Sequence, residues 1–450
     1  MKNQAKQLLV LLALSAGLPL ARAQTLIPIY SFTALLNSTN SDGAHPADAL
    51  VQGSDGYLYG TTSLGGVNKA GTVFRITTGG VLTSPYSFTG HGDGAEPNAG
   101  LVQASDGNLY GTALYGGTNG YGAIFRITFG AVTPLWSFTD GHDGANPYGG
   151  LVQASDGNLY GTTEAGGTNG YGTIFRLTTS GSLTPLWSFT GGLDGAEPYS
   201  GLVQGKDGNL YGTAILGGAD NNGTVFRITT NNAFTPLYAF TRGHDGGIPY
   251  AGLVQASDGN FYGTTIEGGT NGDGTVFRIT TNGIFTPLWS FTGGSDGTEP
   301  YAGLVQASDG NLYGTTEAGG TNGDGTIFRI TTNNVFTPLY SFTGGHDGAN
   351  PYAGLVQAAN GNLYGTAGKG GTNGNGTVFE FALPPPPLNI ISPNQNFLSW
   401  PGSNTNYLLQ TTTNLASPNW VTVSNVMLTP AIIATVTNSL PAQYFRLANP

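Results

Sequence analysis

A block of about fifty residues returns seven times in this chain, and that period decides what it can fold into. Leu50, Leu101, Leu151, Leu202, Leu253, Leu304 and Leu355 open successive copies at steps of 50 or 51 residues. The third copy begins Leu151-Val-Gln-Ala-Ser-Asp-Gly-Asn-Leu-Tyr-Gly-Thr-Thr and runs through Gly166-Gly-Thr-Asn-Gly-Tyr-Gly-Thr-Ile-Phe-Arg to Leu177. Such a period, with several short strands in each unit, belongs to radial repeat architectures. An all-β fold is therefore predicted, a seven-bladed β-propeller over residues 24–383.

Each unit parses into four strands. In the third copy these are Leu151–Ala154, Leu159–Thr163, Thr173–Thr178 and Leu183–Thr190. Asp156-Gly157 suits a tight hairpin with positive φ between the first two. Pro185 has no N–H for a ladder, which places the fourth strand at the outer edge of its blade. Gly 75 and Pro 25 in 450 residues is a level that can signal disorder. Here the glycines recur at fixed offsets between aromatic and β-branched runs, as turn punctuation does.

The termini bear on closure. The fourth-strand motif occurs at Tyr30, Tyr86, Trp136, Trp187, Tyr238, Trp289 and Tyr340, so its first copy precedes the first leucine unit. The strand Leu26 to Thr33 thus lacks a blade of its own, and the seventh blade lacks a fourth strand after Phe381. Pairing the two closes the ring and leaves no long bare edge. An open solenoid of seven units is the alternative, with that strand unpaired.

Residues 1–23 read as a secretory signal: Lys2 and Lys6, an apolar run from Leu8 to Leu20, then Ala21-Arg22-Ala23. The apolar run is shorter than the ~20 residues a membrane span needs. A secreted protein, in the periplasm, at the cell surface or outside the cell, is expected, with no membrane span in the mature chain. Without Lys2, Lys6 and Arg22 the chain carries 11 basic against 25 acidic groups, a net charge of −14. That excludes a basic nucleic-acid face. Cysteine is absent, which removes disulfides, thiolate metal sites and a cysteine nucleophile. Residues 384–388 form a polyproline linker, and 389–450 change character. Short strands around Phe397–Trp400, Tyr407–Gln410, Trp420–Val423, Ala431–Val436 and Tyr444–Leu447 suggest a small β-sandwich-like module.

The blocks "DGNLYGTT" and "GGTNGxGTxFR" resemble the GloVer tandem repeat of bacterial secreted proteins, a similarity that covers Tyr30 to Phe381. The resemblance implies secretion and carries no enzymatic activity. Paired glycines after an aromatic strand also resemble kelch repeats, without the kelch tryptophan. The C-terminal pattern "FLSWP…YLLQTTTNLASPNWVTV…YFRL" is similar to modules that end bacterial surface proteins, where a sorting segment often follows. None follows here, which leaves anchoring open.

Candidate site residues fall on the long-loop face, where strand four meets the next strand one and strand two meets strand three. Tyr148, Tyr199, Tyr250, Tyr301 and Tyr352 each follow a proline, with Ala47 and Asn98 as the exceptions. They are expected either to ring the central channel and bind saccharide, aromatic faces covering sugar C–H groups, or to fill space between blades. Asp93, Asp143, Asp194, Asp245, Asp296 and Asp347 precede glycine in the same loops. They offer a weak calcium reading, against a turn in which the carboxylate accepts backbone N–H bonds. Arg75, Arg126, Arg176, Arg227, Arg278 and Arg329 share one third-strand position, replaced by Glu380 in the last copy. Structural ion pairs are expected for them, with these loop aspartates as candidate partners.

No catalytic residue emerges. Glu164 and Glu317 sit on blades three and six, nearly opposite in the ring, and the histidines His45, His91, His142, His244 and His346 do not converge. Asp48, Asp140, Lys206, Arg242 and Lys369 are single-copy charges spread over several blades. The reading is a monomeric, non-enzymatic binding or surface-interaction protein, its ligand polysaccharide or protein. A glycoside hydrolase or lyase on the same scaffold and a purely structural surface component are the alternatives.

Overall fold

Blade three shows how the repeat becomes structure. Val152–Gln153, Leu159–Thr163, Thr173–Leu177 and Leu183–Ser188 form one antiparallel sheet in chain order. Every side chain of Leu159–Thr163 is buried, because the strand has a neighbouring blade against both faces. The fourth strand is only partly buried, with Pro185 exposed, as an outer edge is. Pro185 lies opposite Phe175 where the register slips by one residue, so the missing N–H coincides with a bulge at that edge. Between the first two strands, Gly157 has φ 83° and the Ala154 amide bonds to the Asn158 carbonyl.

The computed structural model describes residues 25–384, except Phe129 and the side chains of Ser84 and Pro85, and beyond them the backbone of six strands between Asn389 and Ala448. The expected signal at 1–23 and most of the expected linker at 384–388 lie outside the described residues. Among the described residues there is no helix. Seven antiparallel sheets make a seven-bladed β-propeller. Leu26–Ser31 pairs with Thr377–Phe381, Leu26 opposite Phe381 and Ser31 opposite Thr377, so the N-terminal strand completes the seventh blade. The ring is closed.

The core is a set of sandwiches between neighbouring blades. Tyr160, Ile174 and Phe189 of blade three pack with Leu202, Leu210, Phe226 and Ile228 of blade four. Phe189 meets Phe226 edge-on at 5.3 Å between centroids. Across the closing junction Phe32 meets Phe74 in the same way at 5.4 Å. Each buried phenylalanine contributes about 1.5–3 kcal/mol and each such aromatic pair about 0.5–1.5 more. Closure thus reproduces the packing of an ordinary blade junction with residues from opposite chain ends.

Contacts divide the chain into two units, Leu26–Ala358 with Asn362–Phe381 as one and a second that carries Ala382–Pro450. In the second unit Asn389–Ser392, Phe397–Ser399 and Ile433–Thr435 form one three-stranded antiparallel sheet. Leu408–Thr412, Val421–Thr422 and Tyr444–Ala448 form another.

Candidate ligand-binding cavity at the centre of the ring

Seven loops bring a proline and the residue after it to the centre of the ring. The residue before each proline takes a left-handed conformation: His45, Glu96, Asn146, Glu197, Ile248, Glu299 and Asn350 have φ between 50° and 56°. Such values are uncommon outside glycine and costly for a β-branched side chain such as Ile248. Hydrogen bonds to two neighbouring blades hold it in place. Asn146, for example, donates its N–H to the Tyr121 carbonyl at 2.8 Å and accepts the Glu164 N–H at 3.0 Å. Backbone strain maintained by its surroundings is a mark of positions whose geometry matters.

The residue after each proline lines a cavity of about 900 Å³, whose inner wall carries Leu50, Leu101, Leu151, Leu202, Leu253, Leu304 and Leu355 from all seven blades. That size suits a small organic ligand or the end of a chain. Tyr148, Tyr199, Tyr250, Tyr301 and Tyr352 all line it, each half-buried. Their rings run as a continuous arc: 4.6 Å between Tyr148 and Tyr199, 5.0 Å to Tyr250, 4.9 Å to Tyr301 and 5.9 Å to Tyr352. Tyr148 also reaches Tyr250, two blades away, at 5.9 Å. The rings therefore touch one another and face the cavity at once. Ala47 and Asn98 occupy the remaining two positions and leave the arc open on blades one and two.

That gap contains a residue whose position the repeat hides. Asp48 stands where the other copies have Ala99, Gly149, Ser200, Ala251, Ala302 and Ala353. Its carboxylate lines the cavity and accepts the Ala49 and Gly100 amides at 2.6 and 2.5 Å. Burial deep in the ring pushes its pKa up, partly offset by those two amides. The signal in the sequence is a mismatch, Pro46-Ala47-Asp48-Ala49 against Pro-Tyr-x-Gly in five copies and Pro97-Asn98-Ala99-Gly100 in the second.

Carboxylates also meet the tyrosines. Tyr199 donates its hydroxyl to Glu164 at 2.8 Å, and Tyr352 is hydrogen-bonded to Glu317. Burial, then these acceptors, raises both phenols. Glu299 is raised by burial and then by Glu317, Asp273 and Glu267, and Glu197 by burial and then by Glu164. Glu164 and Glu317 thus belong to separate clusters, one at Tyr199 and one at Tyr352. Of the single-copy charges, Asp48 lines the cavity, whereas Asp140, Lys206, Arg242 and Lys369 do not. His45 lines it too, its pKa lowered by burial and by Lys369.

The loop aspartates have a different use from the arginine pairing expected of them. Asp143 accepts the Trp136 indole N–H at 3.1 Å, the Thr139 amide at 3.1 Å and the Thr139 hydroxyl. Asp93, Asp194, Asp245, Asp296 and Asp347 repeat the arrangement with Tyr86, Trp187, Tyr238, Trp289 and Tyr340. Arg75, Arg126, Arg176, Arg227, Arg278 and Arg329 do not reach these carboxylates. Among the described residues the ion pair within 4 Å is Arg242–Glu267, at 2.5 Å. The third-strand arginine instead lies across from the second-strand tyrosine, Arg176 opposite Tyr160. That tyrosine donates to the turn aspartate, Tyr160 to Asp156 at 2.7 Å, and Arg176 acts on Asp156 through its charge. Arg75, Arg278 and Arg329 donate to Thr83, Thr286 and Thr337 of the fourth strand.

Three overlapping stretches, residues 27–206, 92–257 and 201–416, match the model of the Gloeobacter/Verrucomicrobia repeat. The chain belongs to that repeat family. Among curated proteins no sequence matches this Gloeobacter/Verrucomicrobia repeat protein. Solved structures similar to it include a candidate 6-phosphogluconolactonase from Bacteroides uniformis, 16% identical, with 87% of this chain and 100% of that chain covered and a TM-score of 0.45. The extracellular domain of a candidate one-component system from B. thetaiotaomicron is 13% identical over 95% of this chain and 57% of that chain, with a TM-score of 0.48. A periplasmic gluconolactonase from Pseudomonas aeruginosa is 17% identical over 86% of this chain and 97% of that chain, with a TM-score of 0.42.

Proposed function

We propose that this repeat protein is a secreted, non-enzymatic binding protein that takes a saccharide in the central cavity. The observation behind this is the arc of five tyrosines on a 900 Å³ cavity, open at the two blades that lack one. Tyrosine rings cover the C–H faces of a sugar, while phenol hydroxyls, Asn98 and the carboxylates of Asp48, Glu299 and Glu317 take its hydroxyls. The left-handed residue before each proline fixes the loops in advance, which lowers the ordering cost of binding.

The experiment is a glycan array on residues 24–383, with calcium and with chelator, beside a Tyr250→Ala variant. Selective binding that weakens at least tenfold in the variant supports the cavity as the site. Binding is expected to be unchanged by chelator, because the loop aspartates already accept protein donors. Array-wide silence would sink the saccharide reading and turn attention to a protein ligand.

A second reading, a glycoside hydrolase or lyase, has one observation in its favour. Asp48 is a deep carboxyl with a raised pKa, exposed to the same cavity as Glu299 and Glu317. Shortening of the bound glycan by the parent protein and not by Asp48→Asn would move the assignment to an enzyme.

A further inference from the structure

The saccharide reading leaves open which saccharide, and the charges on the cavity wall narrow it. The ionisable groups that line it are Asp48, Glu299, Glu317, the five tyrosines and His45, with no lysine or arginine among them. Burial and the nearby Lys369 hold His45 toward its neutral form. Glu299 and Glu317 repel each other, and Asp48 is balanced by two backbone amides alone. The tyrosine rings line the same space, and a desolvated cation over the face of such a ring is attracted by the ring quadrupole. Aromatic rings on one wall and carboxylates without a cation beside them form the recognition chemistry of an ammonium group. A uronic acid or sulfated sugar would meet carboxylates and raised phenols instead.

We infer that the ligand of this cavity is an amino sugar whose amines are free and protonated, held by Asp48, Glu299 and Glu317 against the tyrosine arc. This rests on the saccharide reading above. Ring C–H faces stack on the tyrosines, and the ammonium groups replace the missing positive charge.

Calorimetric titration of the full chain with glucosamine oligosaccharides and with their N-acetylated forms separates the two ideas. The free-amine form is expected to bind at least tenfold more tightly, with an advantage that shrinks as salt is raised. Glu317→Gln and Asp48→Asn are each expected to cut that preference several-fold, the free-amine form losing more affinity than the N-acetylated one. Glu317→Gln keeps an acceptor for Tyr352, and near-UV circular dichroism confirms that both variants are folded. Tyr250→Ala weakens both ligands. Equal or tighter binding of the N-acetylated form overturns the ammonium inference and leaves the saccharide reading intact. Failure of both forms, with no other glycan bound, overturns both. A lysine oligomer that binds as tightly as the glucosamine oligomer would show a cation site indifferent to sugar and also overturn the inference.

Discussion

Removing one carboxylate, that of Asp143, strands the Trp136 indole N–H, the Thr139 amide and the Thr139 hydroxyl together. Buried donors left without an acceptor cost about 1–3 kcal/mol each when they cannot find water. Asp143→Ala is therefore expected to lower unfolding free energy by about 2–4 kcal/mol in a urea titration, and Asp143→Asn by less, since one oxygen still accepts. A second set of aspartates sets the acid limit. Burial opposes ionisation of Asp106, Asp156, Asp207 and Asp258, but hydrogen bonds from the neighbouring tyrosine and asparagine outweigh it and hold their pKa values below the ordinary one. A carboxylate depressed by folding contributes stability above its unfolded pKa, about 3.9, and that contribution disappears as pH falls through the folded value. The melting temperature is expected to drop below about pH 4, and more gently when these four are asparagine. An unchanged pH profile in the quadruple variant would remove the turn aspartates from the account. At this scale the sequence was legible where residues repeat. Tyr148 and its equivalents announce the channel by following proline in five copies, while Asp48 occurs once and is masked by the copies around it. The loop aspartates were assigned the wrong partner because Trp136 and Asp143 come together only after the fourth strand turns into its loop, a relation that spacing does not express.

A blade is held together by what its second strand lacks. Gly161 and its equivalents are glycines in a fully buried strand, in ordinary extended backbone, where a side chain would normally add packing. The reason is the phenylalanine of the third strand. A Cβ on Gly161 would lie 2.6 Å from the Phe175 ring and 2.8 Å from Leu151, so the ring fills the space directly over the strand. Gly161→Ala is expected to cost about 1–3 kcal/mol through overpacking, and Gly161→Ala with Phe175→Leu to recover part of it. Thermal melts of the single and double variants measure both; additive losses would show that the ring is not the obstacle. Between blades the contacts are lighter. The Gln153 amide oxygen accepts the Ser105 N–H of the preceding blade at 2.7 Å while its nitrogen donates to Gly157 of its own turn at 2.9 Å. Strand order and edge position were legible from Pro185 and the turn glycines, because both reflect backbone rules that any sheet obeys. In the second unit the expected strands were found, with Asn389–Ser392 as an addition, since alternation there marks strands but not their partners.

For the whole molecule the decisive contact is Leu26–Ser31 on Thr377–Phe381. Ile27 and Glu380 are cross-strand partners in a chain that has no cysteine, so a pair of cysteines at these two positions has no competitors. Oxidation is expected to link them and raise stability by about 2–4 kcal/mol, with the gain lost on adding reductant. Failure of the pair to oxidise would argue against a closed ring and for the open solenoid that the repeat count alone leaves possible. The closing strand also carries a cost in time. The Ser31 side chain bonds to the Thr372 amide 341 residues further along the chain. At about 5–20 residues per second, a ribosome delivers that partner roughly 17–70 s after the first strand has emerged. Throughout that interval the nascent protein holds a sticky, β-competent ribbon with nowhere native to dock, and every completed blade behind it offers a similar edge. Leu26-Ile-Pro-Ile-Tyr-Ser and Phe336-Thr-Pro-Leu-Tyr-Ser are near synonyms, so the last blade reads a strand by proximity more than by spelling. In a crowded compartment the same vacancy is expected to accept a neighbour's first strand, and chains linked in this way would make daisy-chained rings whose abundance rises with expression level.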